Sequence, residues 1–423
     1  MSHREYLFSL EQIGIKLGLD QIRALLDALG HPERAFQSIV VAGTNGKGSV
    51  TAMVERGLRA AGYRTGRYTS PHLLHIEERF AVDGRAIAPD TFESVAGLVR
   101  AAASELALPP TFFEATTAVA LEAFKEAAVD VAVLEVGLGG RLDATNAVDS
   151  MAAAITAIDF DHQEYLGHTL EAIAREKAAV IKTGALAVLA PNPAVVEAVV
   201  RQRCEAVGAQ LIHAADGATV VDEMRDSVIR LRLDTPRGHH DARLALRGRH
   251  QVQNATTAVR LLEELTAADR LSVSAAAIRA ALEDVVWPGR LEPAIWQGHD
   301  VLVDGAHNPA GARALQSYLA EAFGRPVPIV VGIMRDKPVD EILRALAPAA
   351  SHFVCTAPAT SRAASPSDLV AAAARVAPTV PAVAAANPAD ALARAVTLGS
   401  PAVVAGSLYL AGEIRAHWLS RGA

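Results

Sequence analysis

The fold of this chain is decided by the stretch Ser38-Ile-Val-Val-Ala-Gly-Thr-Asn-Gly-Lys-Gly-Ser49. It begins with a β-branched apolar run, which predicts a short buried strand, and then passes through three glycines. From Val50 to Ala61, apolar residues follow the spacing of an amphipathic helix. A glycine-rich turn between a strand and a helix directs backbone N–H groups and the positive end of the helix dipole at one point. The stretch therefore predicts a phosphate site for a nucleotide.

This turn departs from the common P-loop pattern, which has four residues between its glycines and Ser or Thr directly after Lys. Here two residues separate Gly43 from Gly46, and Gly48 stands between Lys47 and Ser49. A structural glycine turn with a solvated lysine is the alternative, but the strand and helix on either side favour the phosphate site. Lys47 then supplies a mobile cation, and Ser49 a hydroxyl suited to a metal ion. The expected nucleotide contacts in this turn are Thr44, Asn45, Gly46, Lys47, Gly48 and Ser49.

Composition limits the class of protein. The chain has 423 residues, 51% of them hydrophobic and 21% charged, which is typical of a globular enzyme of two or three domains. The net charge of -7 argues against a nucleic-acid partner. Two cysteines, Cys204 and Cys355, show no disulfide or metal spacing and indicate a reducing compartment. With no signal core and no run near the ~18 apolar residues of a membrane span, we expect a cytoplasmic protein with no membrane partner, and we expect a monomer.

Strands alternate with helical patterns along most of the chain, which predicts a parallel α/β sheet. The apolar runs typical of its buried strands are 130–136, 152–158 and 185–189; we also expect helices within 1–37, 90–105, 114–127 and 251–265, a strand at 63–69 and a hairpin arm at 77–84. From about Gly217, period-two alternation at 228–233 and 242–246 predicts a small antiparallel sheet.

A hinge is expected at Trp287-Pro-Gly-Arg290, because α/β alternation restarts after it. The strands expected there are 301–303, 327–331, 353–355 and 402–405, and the Ala/Pro-rich stretch 356–390 is expected to be loop and helix. We therefore expect two domains, an ATP-binding domain at 1–291 and a smaller Rossmann-like α/β domain at 292–423.

Two polar groups follow predicted strands of the first sheet. Glu135 lies near the carboxyl end of one strand, where ligands of open parallel sheets bind. A buried carboxylate needs a cation, and magnesium beside the phosphates is favoured over the alternative, an ion pair with Arg141. His162 follows the next strand and is a second candidate metal ligand, although a hydrogen-bonded core histidine is the alternative. His72 and His75 lack a third partner, so a zinc site there is not favoured. From its spacing in the sequence alone, Lys177 is interpreted as a solvated residue of a helix.

The loop variant Gly-Thr-Asn-Gly-Lys-Gly-Ser resembles the ATP loop of the Mur ligase superfamily, and within it the chain most resembles the folylpolyglutamate synthase and dihydrofolate synthase family. That resemblance implies a P-loop-type parallel-sheet ATPase domain with a small antiparallel sheet, followed by the second α/β domain. It implies ATP and two magnesium ions as cofactors. The implied metal ligands are Ser70, Glu135, His162 and a carbamylated Lys177.

The same resemblance assigns further residues across the chain. The implied ATP contacts beyond the loop are Asn254, Arg290, Asp304 and His307. The implied pterin-binding segments are Thr111, Phe112, Phe113 and Glu114, with Leu142, Asp143 and Ala144. Lys47, Lys177 and His162 are the implied catalytic residues. The family's early pteroate-contacting segment has no clear counterpart near residues 10–20.

The resemblance implies an ATP-dependent carboxylate–amine ligase, with L-glutamate and dihydropteroate or tetrahydrofolate as small-molecule partners. A bifunctional enzyme is expected, and a monofunctional folylpolyglutamate synthase is the alternative. Another Mur-type amino-acid ligase is less favoured. A Mur cell-wall ligase carries an additional nucleotide-sugar domain before the loop, and only 37 residues precede Ser38 here. A small-molecule kinase would leave Asp304 and His307 unexplained. An inactive nucleotide switch would not need Lys47, Glu135, His162 and Lys177.

Overall fold

The computed structural model describes residues 1–419, which divide into two compact units. The first unit comprises Met1–Asp222, Leu231–Arg243 and Gln251–Val285. The second comprises Glu223–Arg230, Leu244–His250 and the described residues from Val286 onward. Within this part of the chain, no helix is both long and apolar enough to cross a membrane.

The first unit is built on an eight-stranded sheet. In chain order its elements are α1 (His3–Ser9), α2 (Asp20–Ala28), β1 (Gln37–Ala42), α3 (Lys47–Ala60), β2 (Thr65–Tyr68), β3 (Phe80–Val82), β4 (Arg85–Ala86), α4 (Pro89–Ser104), α5 (Phe112–Glu126), β5 (Val131–Glu135), β6 (Ala152–Ile155), α6 (Gln163–Leu166), α7 (Leu170–Ala178), β7 (Leu186–Leu189), α8 (Ala194–Val207) and β8 (Gln210–His213). Short 3-10 helices lie at Leu10–Ile13, Pro32–Arg34, Ile76–Arg79 and Ala144–Ala147.

The strand order is β4-β3-β2-β5-β1-β6-β7-β8. The strand β1 lies inside the sheet and pairs in parallel with β5 and β6, while β3 and β4 add an antiparallel edge. All five residues of β5 are buried, in agreement with the continuous apolar run that predicted it. Val40 and Leu134 belong to one hydrophobic core with Phe92 of α4 and Phe124 of α5. This core fixes the strands whose carboxyl ends carry the candidate site.

A small antiparallel sheet follows, made of β9 (Thr219–Arg225), β10 (Val228–Thr235) and β11 (Gly238–Arg243). The predicted strand at 242–246 is correct only for its first two residues, because β11 ends at Arg243. Alternate burial continues through Leu244 and Leu246, so the side-chain pattern extends beyond the strand. Two helices come next, α9 (His250–Ala267) and α10 (Ala275–Glu283).

The second unit contains a six-stranded sheet in the order β12-β13-β17-β14-β15-β16. Its elements are β12 (Glu292–Trp296), β13 (His299–Val303), α11 (Pro309–Phe323), β14 (Val327–Val331), α12 (Val339–Leu346), a 3-10 turn (Ala347–Ala349), β15 (Ala350–Cys355), α13 (Pro366–Val376), β16 (Ala382–Ala384), α14 (Pro388–Leu398), β17 (Ala402–Ala405) and α15 (Leu408–Leu419). The four predicted strands are present. The edge strands β12 and β16 were missed, since β12 contains Glu292 and Pro293, and β16 is only three residues long within a stretch expected to be loop and helix. The predicted fold class is confirmed.

Candidate active site

The glycine loop lies at the carboxyl edge of the large sheet. It leaves β1, whose Val41 is in register with Glu135 of β5 and whose Ala42 is in register with Ile155 of β6. The segment after β5 and the segment after β6 therefore lie on either side of the loop. The parallel order brings the predicted polar groups to one edge of the sheet.

The segment after β6 holds the first half of the loop. Thr44 donates its backbone N–H to the Ala157 carbonyl (2.8 Å) and its hydroxyl to the Asp159 carbonyl (2.9 Å). Thr156 donates its hydroxyl to the Asn45 carbonyl at 2.8 Å. A Cβ on Gly43 would lie 1.8 Å from the Thr156 hydroxyl oxygen, so only glycine fits there. These contacts fix the loop path before α3 begins.

Helix α9 holds the second half. Gly46 has φ +90°, and a Cβ there would lie 2.3 Å from Oδ1 of Asn254. Asn254 donates through Nδ2 to Oε1 of Gln251 (2.9 Å), and Gln251 donates through Nε2 to the Ser49 hydroxyl (3.3 Å). Asn254 was expected near the nucleotide. Gln251 was missed, although it stands in the same short motif of the sequence.

Two lysines converge on the loop backbone. Lys47 donates to the Thr44 carbonyl at 3.1 Å, and Lys177 donates to the Gly43 carbonyl at 2.8 Å. Lys177 is buried, with 5% of its surface exposed, and not solvated. Burial, with help from the Lys47 charge, lowers the pKa of Lys177 to about 7, although Asp161 opposes the shift. At neutral pH a substantial fraction of this amine is uncharged.

Two of the candidate metal ligands are adjacent. The backbone N–H of Ser70 donates to Oε2 of Glu135 at 3.3 Å, and Glu135 is buried. Arg141, the alternative partner of Glu135, forms an ion pair with Glu176 at 2.9 Å. The Ser70 hydroxyl and the Glu135 carboxylate are oxygen donors of the kind magnesium takes, so this pair fits the ion.

His162 lies in the segment after β6, in a left-handed backbone conformation with φ +50°. Its Nε2 is 3.9 Å from a carboxylate oxygen of Asp161. Among residues 1–419, no group of three or more His, Cys, Asp and Glu side chains is arranged to hold a metal. The proposed ligand set contains only two residues of these types, Glu135 and His162, together with Ser70 and Lys177.

The predicted pterin-binding residues contact other residues of the chain. Thr111 and Glu114 form the capping box at the start of α5, Phe112 stacks on Phe8 at 5.8 Å, and Phe113 packs against Tyr68. The Asp143 carboxylate, between Leu142 and Ala144, accepts hydrogen bonds from the backbone N–H groups of Gly137, Leu138 and Thr145 and from the Thr145 hydroxyl. Burial raises the pKa of Asp143, and these four donors oppose the shift. Pterin binding by these residues stays a prediction.

The remaining predicted ATP contacts lie together in the second unit. Asp304 follows β13 and accepts hydrogen bonds from the backbone N–H groups of Leu291 (2.9 Å) and Ala306 (2.8 Å). A Cβ on Gly305 would lie 2.4 Å from NH1 of Arg290, and Nδ1 of His307 lies 2.8 Å from the Gly305 carbonyl oxygen. His250, which was missed, is buried within range of Asp304 and Arg290; burial lowers the pKa of His250, while Asp304 opposes the shift.

Solved structures of similar fold carry nucleotides. The structure of "Mycobacterium tuberculosis Folylpolyglutamate synthase complexed with ADP" matches with a TM-score of 0.90 and 34% identity, covering 98% of this chain and 99% of that one. A bifunctional folylpolyglutamate synthase/dihydrofolate synthase "with Mn, AMPPNP and L-Glutamate bound" matches with a TM-score of 0.85 and 31% identity, covering 99% of this chain and 98% of that one.

Two family models match the chain, the Mur ligase middle domain over residues 41–262 and the Mur ligase glutamate ligase domain over residues 289–408. Together with the loop after β1, they define the class as that of the Mur ligases. The dihydrofolate synthase/folylpolyglutamate synthase of Mycobacterium tuberculosis is 38% identical over 372 residues, which cover 82% of this chain and 75% of that relative. The chain belongs to the folylpolyglutamate synthase/dihydrofolate synthase family, as its sequence predicted.

Another relative is much longer than this chain. A probable bifunctional folylpolyglutamate synthase/dihydropteroate synthase of Haloferax volcanii is 37% identical over 438 residues. That match covers 98% of this chain but 50% of the relative, so the chain spans half the length of that protein.

Proposed function

We propose that this chain is a bifunctional ATP-dependent ligase that adds L-glutamate to dihydropteroate and to (poly)glutamylated tetrahydrofolate. The observation that carries the proposal is the loop Gly43–Ser49, which is held at the sheet edge with Lys47 and Lys177 on its carbonyls. The hydrogen-bonded pair Ser70 and Glu135 lies after β2 and at the end of β5. The same reaction is supported by the relative named dihydrofolate synthase/folylpolyglutamate synthase and by the related structure that holds AMPPNP, Mn and L-glutamate.

The chemistry follows from these groups. The γ-phosphate of ATP is transferred to the carboxylate of the acceptor, which gives an acyl phosphate and ADP. The glutamate amine then attacks the acyl carbon, phosphate leaves, and an amide bond forms with loss of a proton from the amine. Lys47, the loop N–H groups and the dipole of α3 stabilise the charge on the phosphates. Arg290, Asp304 and His307 are proposed as further nucleotide contacts.

Magnesium is the implied metal, and it would be held by Ser70, Glu135 and His162, with Lys177 as a ligand to a second ion. When bound, it neutralises phosphate charge. Lys177 could serve only after its neutral amine adds carbon dioxide, giving a carbamic acid that ionises by losing a proton. Its burial and its lowered pKa of about 7 support that step, because they favour the neutral amine.

The acceptor is proposed to bind at Phe112, Phe113 and Asp143, with Thr111, Glu114, Leu142 and Ala144 completing the two segments. The Phe112 ring is half-buried, stacked on Phe8 and lies under the Arg79 guanidinium, so a flat heteroaromatic ring would contact the part that stays exposed. Since the Asp143 carboxylate accepts four hydrogen bonds from its own loop, its contribution is to hold the backbone groups around it for the pterin.

We also propose that residues 1–291 act as the ATP-binding domain and residues 292–423 as the second domain. The start of the glutamate ligase family model at residue 289 supports a boundary near this position. The compact units divide at Val285 and Val286, and they assign two segments of the small-sheet region to the second unit.

The proposed function is tested by measuring ADP release with dihydropteroate and then with tetrahydrofolate, each with and without L-glutamate. Glutamate-dependent release with both acceptors supports the bifunctional assignment. Glutamate-dependent release with tetrahydrofolate but not with dihydropteroate would reduce the assignment to a folylpolyglutamate synthase. Release that needs no glutamate would identify a kinase and contradict the proposal.

A further inference from the structure

We propose that Gln251 is a positioning residue for nucleotide-bound metal and acts through the Ser49 hydroxyl. The inference rests on the proposed ATP-dependent function and adds a residue to which no role has been assigned. Gln251 is the second residue of α9, and it joins that helix to the first turn of α3.

Three buried side chains form a directed series. Gln251 is 1% exposed, Ser49 3% and Asn254 8%. The Asn254 amide donates to Oε1 of Gln251 at 2.9 Å, and Nε2 of Gln251 donates to the Ser49 oxygen at 3.3 Å. With the Asn254 amide nitrogen directed at the oxygen of the Gln251 amide, the Gln251 nitrogen faces Ser49.

This orientation determines what Ser49 can offer. A hydroxyl has one hydrogen to donate and two lone pairs to accept with. The hydrogen bond from Gln251 uses one lone pair, so the second lone pair and the hydrogen remain for a cation and a phosphate oxygen. A side chain that accepted from Ser49 instead would take the hydrogen and turn the oxygen. By donating to Ser49, Gln251 thus leaves this hydroxyl the lone pair that a P-loop Ser or Thr offers to magnesium.

The same pair of amides contacts the second half of the loop at two points. Gln251 and Asn254 are three residues apart on α9, so they share one face of the helix. Gln251 contacts Ser49, while Asn254 lies so close to Gly46 that no Cβ fits between them. The helix therefore fixes the distance between the turn of the loop and the hydroxyl.

The test is the variant Gln251→Met, which keeps the side-chain length and removes both hydrogen bonds without adding charge. The matched control is Gln253→Met, an exposed glutamine two residues further along the same helix. The dissociation constant of ADP is measured by calorimetry with Mg²⁺ and again with EDTA, and the melting temperature is recorded for each variant.

We expect Gln251→Met to weaken ADP binding about tenfold in Mg²⁺, the factor that one hydrogen bond of ordinary strength supplies, and less than threefold in EDTA. We expect Gln253→Met to change neither. The double variant of Gln251→Met with Ser49→Ala should bind ADP no more weakly than Ser49→Ala alone, because both changes remove the same interaction.

Equal weakening with and without Mg²⁺ would show a purely structural role and overturn the proposal, as would additive losses in the double variant. If Gln251→Met fails to fold, Gln251→Asn replaces it in the same cycle. If the wild-type chain binds no ADP, the proposed function itself is contradicted. If the wild-type chain binds ADP but the variants do not behave as described, only the role of Gln251 is contradicted.

Discussion

The Nζ atom of Lys177 lies 2.8 Å from the carbonyl oxygen of Gly43, although 134 positions separate the two residues in the chain. This contact puts a buried lysine of helix α7 against the first glycine of the nucleotide loop. A second lysine, Lys47, is near enough to lower its pKa. The amines of Lys47 and Lys177 therefore both contact this loop, and the amine of Lys177 loses its proton more readily than an ordinary lysine.

Lys47→Ala is expected to abolish glutamate-dependent ADP release, because the phosphates lose their mobile cation. The melting temperature should change little, since the side chain is only partly buried and hydrogen bonds to its own loop. The control is Lys125→Ala, which removes a lysine paired with Glu122 on α5. Full activity in the Lys47 variant would disprove the assignment of the loop.

Lys177 is expected to need its neutral form. Because its pKa is about 7, activity limited by carbamylation should rise as pH increases through 7, and should fall in carbon dioxide-free buffer and recover with bicarbonate. Native mass spectrometry should detect one added carbon dioxide in the wild type and none in Lys177→Met. An active enzyme whose native mass is that of the plain chain would remove the carbamate from the mechanism.

Gly46→Ala is expected to cost about 1–3 kcal/mol of unfolding free energy from backbone strain and to abolish ADP binding, because the new Cβ would lie 2.3 Å from Asn254. The control is Gly62→Ala. Gly62 has a similar φ of +96° but nothing within 4 Å of its Cβ position, so the control should lose stability and keep its ADP affinity. Calorimetric titration compares them, and equal ADP affinities would show that the close approach to Asn254 is unimportant.

Glu135→Gln is expected to weaken binding of Mn²⁺ in the presence of ADP at least tenfold, or about 1.4 kcal/mol, because a neutral amide replaces a carboxylate ligand. Electron paramagnetic resonance of free Mn²⁺ measures this directly. The control, Glu122→Gln, removes another buried carboxylate, one that pairs with Lys125. Unchanged Mn²⁺ affinity in Glu135→Gln would place the metal elsewhere.

His72 is expected to make the protein less stable in acid. Burial, and then the charge of Arg79, lower its pKa from the ordinary 6.5 to about 4. Between these values the unfolded chain binds more protons than the folded one, so stability falls as pH falls from 6.5 toward 4. From pH 7 to pH 5 the loss from this residue should be about 2 kcal/mol. Urea unfolding of His72→Gln should show a smaller loss than the wild type, whereas His299→Gln, at an exposed position, should match the wild type.

Much of the fold could be predicted because buried parallel strands are continuous apolar runs. The burial of β5 on both faces made it visible in the sequence, and the pattern of strand, loop and helix around Gly43 is present as predicted. The edge strands β12 and β16 could not be found in this way. Half of β12 faces solvent and it contains Pro293, so no apolar period marks it.

Without the family resemblance, the site could be predicted only where the local sequence carries the chemistry. Lys47 and Ser49 lie inside the glycine loop, and Glu135 follows a recognisable strand. Lys177 is different, because its helix is amphipathic and only the packing of α7 against the loop buries the amine. Gln251 has the same difficulty: a glutamine in a helix is ordinary, and its partner Ser49 lies 202 positions away.

The loop between Gly43 and Ser49 is tied to the end of β6, to α7 and to α9 by hydrogen bonds within the protein itself. A binding site that is already rigid gives up little chain entropy when it is filled. Nucleotide association should therefore proceed in a single fast phase, with no slower rearrangement of this segment behind it. Any selectivity that depends on movement must then reside in other parts of the molecule.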